Sequence, residues 1–144
     1  MVSGQMRDIL AECRDDISIA ELRELHQQKT GALIEAAVSL GGLASAQATA
    51  DVLHALSVYS AHLGLAFQIQ DDVLDVTQDS MTLGKPQGSD ERQNKTTFVT
   101  LLGLEKAQTE ALRHAELARE ALSKSYLNAT LLAELCLYIV QRRF

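Results

Sequence analysis

Apolar residues recur at helical spacing along most of this chain, and the pattern predicts a series of helices. One helical stretch is predicted at 18–43, where Ser18 and Glu21 have the spacing of a capping box. A second, at about 48–76, has apolar residues on too many sides for a surface helix, so we expect it to be central and buried. Shorter helices are predicted at 96–103, 104–124 and 128–142. Because the pattern has no strand-like alternation, the predicted fold class is all-α.

Glycine and proline mark the interruptions in this pattern. Gly31 lies inside the first predicted helix, where glycine costs roughly 1 kcal/mol relative to alanine, so we expect close packing or a ligand there. Gly41 and Gly42 are predicted to stop the same helix. Residues 77–95 are polar and contain the chain's single proline, which predicts a long loop. Loops of this length are usually functional or disordered.

Composition narrows the possible functions. The 144 residues, 47% of them hydrophobic, fit a single domain spanning 1–144. A net charge of -6 makes nucleic acid a poor partner, although a bound metal can reverse the local charge for a small phosphorylated ligand. Cys13 and Cys136 lie far apart, which indicates a reduced, cytoplasmic protein. Polar or charged residues interrupt every apolar run, so no membrane span is predicted.

An acidic cluster stands out in the segment FQIQDDVLD, residues 67–75, which places Asp71, Asp72 and Asp75 in an otherwise apolar helix. Asp71 and Asp75 are four residues apart and share a helix face, where like charges repel. The cluster is near the C-terminal end of the predicted helix, where the helix dipole disfavours anions. A hard cation such as Mg²⁺ would relieve both costs. A solvated acidic helix end is the alternative, and charge alone does not decide between them.

Lysines elsewhere in the sequence suit an anionic ligand beside such a metal. The segment HQQKTG, residues 26–31, puts Lys29 and Thr30 next to a glycine, without the upstream glycines of a P-loop. Lys85 and Lys95 belong to the predicted loop and could fold over the same ligand. Solvated lysines are the alternative at each position. The four histidines have no common metal-ligand spacing and are predicted to be packing or surface residues.

Together these motifs resemble the second half of bacterial farnesyl and geranylgeranyl diphosphate synthases, of the trans-isoprenyl diphosphate synthase family. The resemblance covers nearly the whole chain and rests on MVSGQ at 1–5, KTG at 29–31, GLAFQIQDDVLD at 64–75, LGK at 83–85 and NKTTF at 94–98. It implies the C-terminal portion of an all-α bundle of the isoprenoid synthase type. It also implies a prenyltransferase that joins isopentenyl diphosphate head-to-tail to dimethylallyl or geranyl diphosphate, giving farnesyl or a similar short-chain diphosphate.

The resemblance assigns roles to the lysines and their neighbours. Lys29 would pair with the allylic diphosphate, and Lys85 and Lys95 would reach over it from the loop. Thr30 and Gln68 would lie near the reacting carbons, and together with Lys29 they are the expected catalytic residues.

The resemblance also makes the acidic cluster the second of two that face each other across the family's active-site mouth. Asp71 and Asp75 would face Mg²⁺, with Asp72 helping directly or through water. Asp15 and Asp16 lie in a predicted connector and lack the arginines that follow the family's first cluster. No other acidic cluster of that kind exists in the sequence.

The missing first cluster leads to expectations about the chain as a whole. Met1 coincides with a methionine inside the family's motif, so we expect the chain to begin mid-protein. Half a bundle would expose apolar surface, which predicts a homodimer or pairing with the missing N-terminal half. With only one aspartate cluster the metal ions would be under-coordinated, so we expect no useful turnover by the chain alone. Two alternatives are a non-catalytic helical subunit that pairs with a complete synthase, and a terpene cyclase of the same fold. The cyclase is the weaker of these alternatives, because KTG together with this aspartate motif suits chain elongation better.

Overall fold

The computed structural model describes residues 2–11, 14, 16–46, 48–78, 95–125 and 128–142. Every regular element within these ranges is helical, which confirms the predicted all-α fold class. The α-helices are α1 (Val2–Ala11), α2 (Ile19–His26), α3 (Ala32–Leu43), α4 (Ala50–Thr77), α5 (Phe98–Leu102), α6 (Leu104–Ser123) and α7 (Thr130–Gln141). A π-helical turn, Gln27–Gly31, joins α2 directly to α3.

Helix α4 is the centre of the bundle because apolar side chains cover most of its circumference. It packs against α3, α6 and α7, and its residues Tyr59, Ala66 and Ile69 are fully buried. The helix begins where Thr49 Oγ1 accepts the Val52 N–H at 3.3 Å. The predicted range of 48–76 agrees with the observed bounds to within two residues.

Helix α4 is also long and apolar enough to cross a membrane. It has 28 residues and a mean hydropathy of 1.3 in its most apolar window, although the interrupted apolar runs predicted no span. In that window 56% is buried inside the structure. A core helix of a globular domain passes the same test of length and composition, so one such helix is weak support for a membrane span.

Two apolar clusters hold the helices together. The larger joins α4, α6 and α7, and the Tyr59 hydroxyl within it donates to the Leu132 carbonyl at 3.2 Å. The smaller cluster surrounds Phe98 and Ile69, and it joins α2, α4, α5 and α6. Helix α5 has only five residues, too few to be stable by itself, so burial of Phe98 in this cluster holds it in place.

The helical stretch predicted at 18–43 forms as α2, the π turn and α3 in succession. Ser18 Oγ accepts the Glu21 N–H at 3.2 Å, which confirms the predicted N-cap. Ile17 and Leu22, on either side of this cap, are both buried in the smaller apolar cluster. The start of the stretch was therefore readable from local spacing, whereas the π turn within it was not.

Helix α3 ends at Leu43, where the stretch was predicted to end, but Gly41 and Gly42 lie inside its last turn and not beyond it. Gly42 is buried, and a Cβ added there would lie 2.7 Å from Leu56 Cδ1. Glycine at this position therefore allows α4 to approach α3 closely and does not end the helix.

The outer faces of α1, α3 and α7 carry large apolar side chains that are exposed to solvent. These are Val2, Met6, Ile9, Leu10, Leu33, Leu40, Leu43, Leu131, Leu135, Leu137 and Tyr138. Apolar surface of this extent commonly marks a contact with further protein. Pairing with a second copy or with further helices stays a prediction, and these three faces are where we expect such a contact.

Candidate functional site

The KTG motif lies in the π-helical turn between α2 and α3. A π turn has i→i+5 hydrogen bonds and is wider than an α-helical turn, and such turns occur frequently at functional sites. Within this turn Gly31 is buried, while Lys29 and Thr30 are half-buried. The local backbone therefore presents Lys29 and Thr30 on a turn that differs from the regular helices on either side.

Asp8 of α1 binds two lysines at once. Its carboxylate accepts hydrogen bonds from Lys29 Nζ at 2.5 Å and from Lys95 Nζ at 3.4 Å. The Asp8 side chain is 5% exposed, whereas those of the two lysines are 26% and 22% exposed. Burial raises the pKa of Asp8, but the Lys29 hydrogen bond and the charges of both lysines outweigh burial and hold the pKa below its usual 3.8. Asp8 is therefore ionised at neutral pH and keeps two ammonium groups together.

A second set of polar contacts begins at Thr30. Thr30 Oγ1 donates to Gln68 Oε1 at 2.5 Å, and Gln68 Nε2 donates to Asp71 Oδ2 at 3.4 Å. The Arg142 guanidinium, just beyond α7, binds the other oxygen of Asp71. Because Lys29 and Thr30 are neighbours, both sets of contacts meet on the π turn.

The three aspartates of α4 have different surroundings. The Asp71 side chain is 40% exposed. Asp72 is buried, and its Oδ2 accepts the Phe98 N–H at 2.7 Å, so it anchors the start of α5 to α4. Asp75 is 1% exposed. The metal role that the sequence predicts for all three stays a prediction.

The donor set fits a magnesium–diphosphate unit better than a metal held by protein atoms alone. Within the described ranges, no three His, Cys, Asp or Glu side chains are grouped so that they could hold a metal ion. Magnesium at phosphate sites usually takes one or two carboxylates, with phosphate oxygens of the ligand among its other donors. Asp71 and Asp75 are hard oxygen donors one turn apart on α4, and Lys29 supplies positive charge on the neighbouring turn.

His26, the last residue of α2, is buried beside the lysine cluster. Its ring stacks on Phe98 with centroids 5.8 Å apart and planes at 23°. Neither ring nitrogen has a hydrogen-bond partner among the residues that the structure describes. Burial lowers the pKa of His26 to about 4; the Asp8 charge opposes this, while the charges of Lys95 and Lys29 add to it. His26 is therefore neutral at pH 7.

This histidine makes stability depend on pH. The pKa of His26 in the folded chain is about 4, below its ordinary value of 6.5. At pH values between about 4 and 6.5 the unfolded chain therefore binds more protons than the folded chain. The free energy of unfolding should therefore fall by up to about 2 kcal/mol between about pH 7 and about pH 5 because of His26. In His26→Leu this contribution should disappear, and urea unfolding at the two pH values measures it.

The control for this pH prediction is His54→Gln, which changes an exposed histidine on α4. The control should keep the wild-type pH dependence. His114, whose pKa burial lowers to about 4, remains in both variants and contributes equally to each. Equal pH dependence in His26→Leu and the wild type would contradict the assignment.

Five of the eight site residues named from the sequence are connected by the contacts described above. These are Lys29, Thr30, Gln68, Asp71 and Lys95. Asp72 points to α5, and Asp75 is buried nearby on α4. Lys85 lies outside the described residues.

Sequence reasoning missed Asp8, His26 and Arg142. The sequence signal for Asp8 was slight, a single acidic residue in an amphipathic helix. His26 was within a quoted motif, but its burial depends on Phe98, far along the chain. Arg142 was given no role, and its guanidinium lies 4.2 Å from the Phe67 ring centroid as well as against Asp71.

A second pairing that the sequence did not predict lies away from this site, between α4 and α6. His62 Nδ1 and His114 Nδ1 are 2.9 Å apart. Arg113 donates to His114 Nε2 at 3.0 Å, which leaves the His114 proton on Nδ1, where it is donated to His62. These two histidines therefore serve helix packing, in agreement with their predicted role.

Comparison with known proteins shows to which family a chain with this helical architecture and this cluster of lysines and carboxylates belongs. A model of the polyprenyl synthetase family matches residues 1–133. Farnesyl diphosphate synthase of Escherichia coli (strain K12) is 42% identical over 145 residues, covering 99% of this chain and 48% of that enzyme.

Two solved structures agree with this match. Polyprenyl synthase from Caulobacter crescentus CB15, complexed with calcium and isoprenyl diphosphate, superimposes with a TM-score of 0.90 at 27% identity, covering 99% of this chain and 56% of that one. Geranyltransferase from Helicobacter pylori, complexed with magnesium and isoprenyl diphosphate, superimposes with a TM-score of 0.79 at 32% identity. The match covers 97% of this chain and 45% of that one.

The chain therefore belongs to the polyprenyl synthetase family, as the sequence resemblance predicted. It spans about half the length of the curated relatives it matches.

Proposed function

We propose that this chain is part of a magnesium-dependent prenyltransferase that joins isopentenyl diphosphate head-to-tail to dimethylallyl or geranyl diphosphate. The product is farnesyl or a similar short-chain diphosphate. The observation that carries the proposal is the convergence of Lys29 and Lys95 on Asp8, next to the Thr30–Gln68–Asp71 contacts. Two ammonium groups held at one point suit a ligand with several negative charges, such as a diphosphate. The names of the relatives support the same reaction.

In the proposed site, Lys29 and Lys95 bind the diphosphate of the allylic substrate, and Lys85, which lies outside the described residues, is proposed to bind it as well. Asp71 and Asp75 provide carboxylate oxygens for Mg²⁺. When bound, magnesium supplies positive charge that stabilises the negative charge on the departing diphosphate. The lysine ammonium groups also stabilise this negative charge as it develops on the diphosphate.

Thr30 and Gln68 have a different role in the proposed site. Their oxygens are joined by the 2.5 Å hydrogen bond, so their positions depend on each other. We assign them to the side of the site where positive charge develops on the allylic carbons, because oxygen dipoles stabilise such charge. Asp72 orients the start of α5 through the Phe98 N–H, and it thereby helps to place Lys95 three residues before that helix.

Arg142 is part of the same proposal. Its guanidinium compensates the charge of Asp71 and donates to the Phe67 carbonyl at 3.4 Å. A cation at Asp71 would compete with the guanidinium, so we expect Arg142 to shift when metal and diphosphate bind. The freed guanidinium would then be available to an anionic ligand.

The chain is proposed to act in the cytoplasm and together with further helices, supplied by a second copy or by a chain that carries the first aspartate cluster. With one such cluster in its sequence, the chain alone should be inactive in a prenyl-transfer assay with magnesium, isopentenyl diphosphate and geranyl diphosphate. Product formation by the isolated chain would contradict this part of the proposal.

Inorganic pyrophosphate with magnesium is the probe for the site itself. A ligand that binds only the folded chain stabilises it by mass action, by about 2.7 kcal/mol at 100 times its dissociation constant. We expect this gain in the wild type and expect most of it to be lost in Asp71→Asn and in Lys29→Ala. Thermal unfolding with and without the probe is the measurement.

The matched control for this experiment is Asp51→Asn, which changes an exposed aspartate in the first turn of the same helix α4. This variant should keep the full stabilisation by magnesium pyrophosphate. No stabilisation of the wild type at high ligand concentration, or equal stabilisation of all four proteins, would refute the proposed site.

A further inference from the structure

We propose that Gly4 and Gly64 are positioning residues that hold the π turn from two sides, so that Lys29 and Thr30 face one ligand. The inference rests on the proposed diphosphate site and deepens it by naming what sets its geometry. Each glycine stands four residues before a polar side chain that binds the turn. Residues four apart lie on the same face of a helix, so α1 and α4 each contact the turn twice, once through bare backbone and once through a side chain.

Helix α1 makes its two contacts through Gly4 and Asp8. A Cβ added at Gly4 would lie 2.4 Å from the Gln28 carbonyl carbon and the Lys29 amide nitrogen. These are main-chain atoms that cannot swing aside, and the distance is far inside van der Waals contact. One helical turn further on, Asp8 binds the Lys29 ammonium at 2.5 Å. Gly4 thus brings α1 against the main chain of Lys29, and Asp8 then reaches the far end of the same residue.

Helix α4 makes the corresponding contacts through Gly64 and Gln68. A Cβ added at Gly64 would lie 3.1 Å from the Gly31 Cα, so one of the two backbones would have to move by a few tenths of an ångström. One helical turn further on, Gln68 Oε1 accepts from Thr30 Oγ1 at 2.5 Å. The closest approach between α4 and the turn is therefore next to the side-chain contact that orients Thr30.

The turn needs these contacts because its polar side chains do not fix it by themselves. Lys29 and Lys95 carry like charges and repel each other, and long side chains lose entropy when they are ordered. Packing on the two flanks of the turn opposes both effects. If α1 moves away, Asp8 no longer reaches Lys29, and if α4 moves away, Gln68 no longer reaches Thr30. A displaced flank should therefore alter a specific side-chain contact and not only the overall stability.

The experiment compares the full chain carrying Gly4→Ala, Gly64→Ala or the control Gly41→Ala. Gly41 is a helical glycine at which an added Cβ meets nothing within 4 Å. The first readout is the exchange of the Lys29 ammonium protons with water, followed by NMR, since the hydrogen bond to buried Asp8 slows it. We expect about tenfold faster exchange in Gly4→Ala only. The second readout is affinity for magnesium pyrophosphate, which should weaken about tenfold in Gly4→Ala and Gly64→Ala.

The two readouts separate this inference from the proposed function. One possible result is that Lys29 exchange is slow in the wild type and fast in Gly4→Ala, while the wild type does not bind pyrophosphate. This result would support the positioning and reject the diphosphate site. Wild-type exchange in Gly4→Ala with wild-type pyrophosphate affinity in both variants would overturn the positioning. If Gly4→Ala does not fold, Gly64→Ala is the deciding variant. An unchanged NMR resonance of the Gln68 side-chain amide together with unchanged affinity for magnesium pyrophosphate would overturn the positioning. A change in both would support it.

Discussion

Replacing Phe98 with alanine is expected to lower the free energy of unfolding by about 3–5 kcal/mol. The Phe98 ring is fully buried in the smaller apolar cluster, so its removal loses the transfer free energy of the ring and leaves a cavity. The ring also stacks on His26, and helix α5 is too short to stay in place without it. Urea unfolding of the purified variant measures the loss.

Phe98→Leu is the matched control for that prediction. It keeps an apolar side chain in the cluster and should cost about 1 kcal/mol. The main-chain hydrogen bond from residue 98 to Asp72 is available in both variants, so the difference between them reports the burial of an apolar side chain at this position. A loss of less than about 1 kcal/mol in Phe98→Ala would show that α5 is not anchored by this side chain. The placement of Lys95 beside Asp8 would then need another cause.

Replacing Asp8 with alanine should have the second large effect, a loss of about 2–3 kcal/mol at neutral pH. Removing one member of a buried ion pair costs about 3–5 kcal/mol, and the partial exposure of Lys29 and Lys95 reduces this. Without the carboxylate, two ammonium groups remain close together with no shared counter-charge. Because the pKa of Asp8 is lowered on folding, its contribution is complete above the ordinary pKa and is lost as pH falls through the folded value.

Two controls make the Asp8 experiment specific. Asp8→Asn keeps the shape of the side chain and removes its charge, so it separates packing from electrostatics. Asp16→Ala removes an exposed carboxylate that binds Arg14 at 2.9 Å, and it should change stability little, because exposed ion pairs contribute little. Equal stability of Asp8→Ala and Asp16→Ala would contradict a structural role for the buried carboxylate.

Helices and their burial could be predicted from the sequence to a large extent. The central helix α4 and the helix α6 both follow from apolar residues at helical spacing, a local property that needs no knowledge of partners. Ser18 could be assigned as an N-cap because its partner is three residues away. The glycines were harder to interpret, since the close approach of Gly42 to α4 across the bundle is not visible in local spacing.

The candidate site was predictable only in part, because its contacts join residues on different helices and local spacing does not show them. Residue types and motif order identified Lys29, Thr30, Gln68, Asp71 and Lys95, but not the contacts among them. Asp72 has the same charge as Asp71, and only the fold directs it to the Phe98 N–H and buries it. A carboxylate that binds a main-chain donor and one that faces solvent look identical in a sequence.

The sequence by itself determined the all-α class, the order of the helices and the family, and it predicted which residues would bind a metal and a diphosphate. These properties depend on residue type and on spacing within one or two helical turns. Only the tertiary structure decided that Asp8 joins Lys29 to Lys95, that Arg142 compensates Asp71, and that two glycines lie against the π turn. Such contacts join residues far apart in the chain, and they arise from packing of whole helices, which local spacing does not encode.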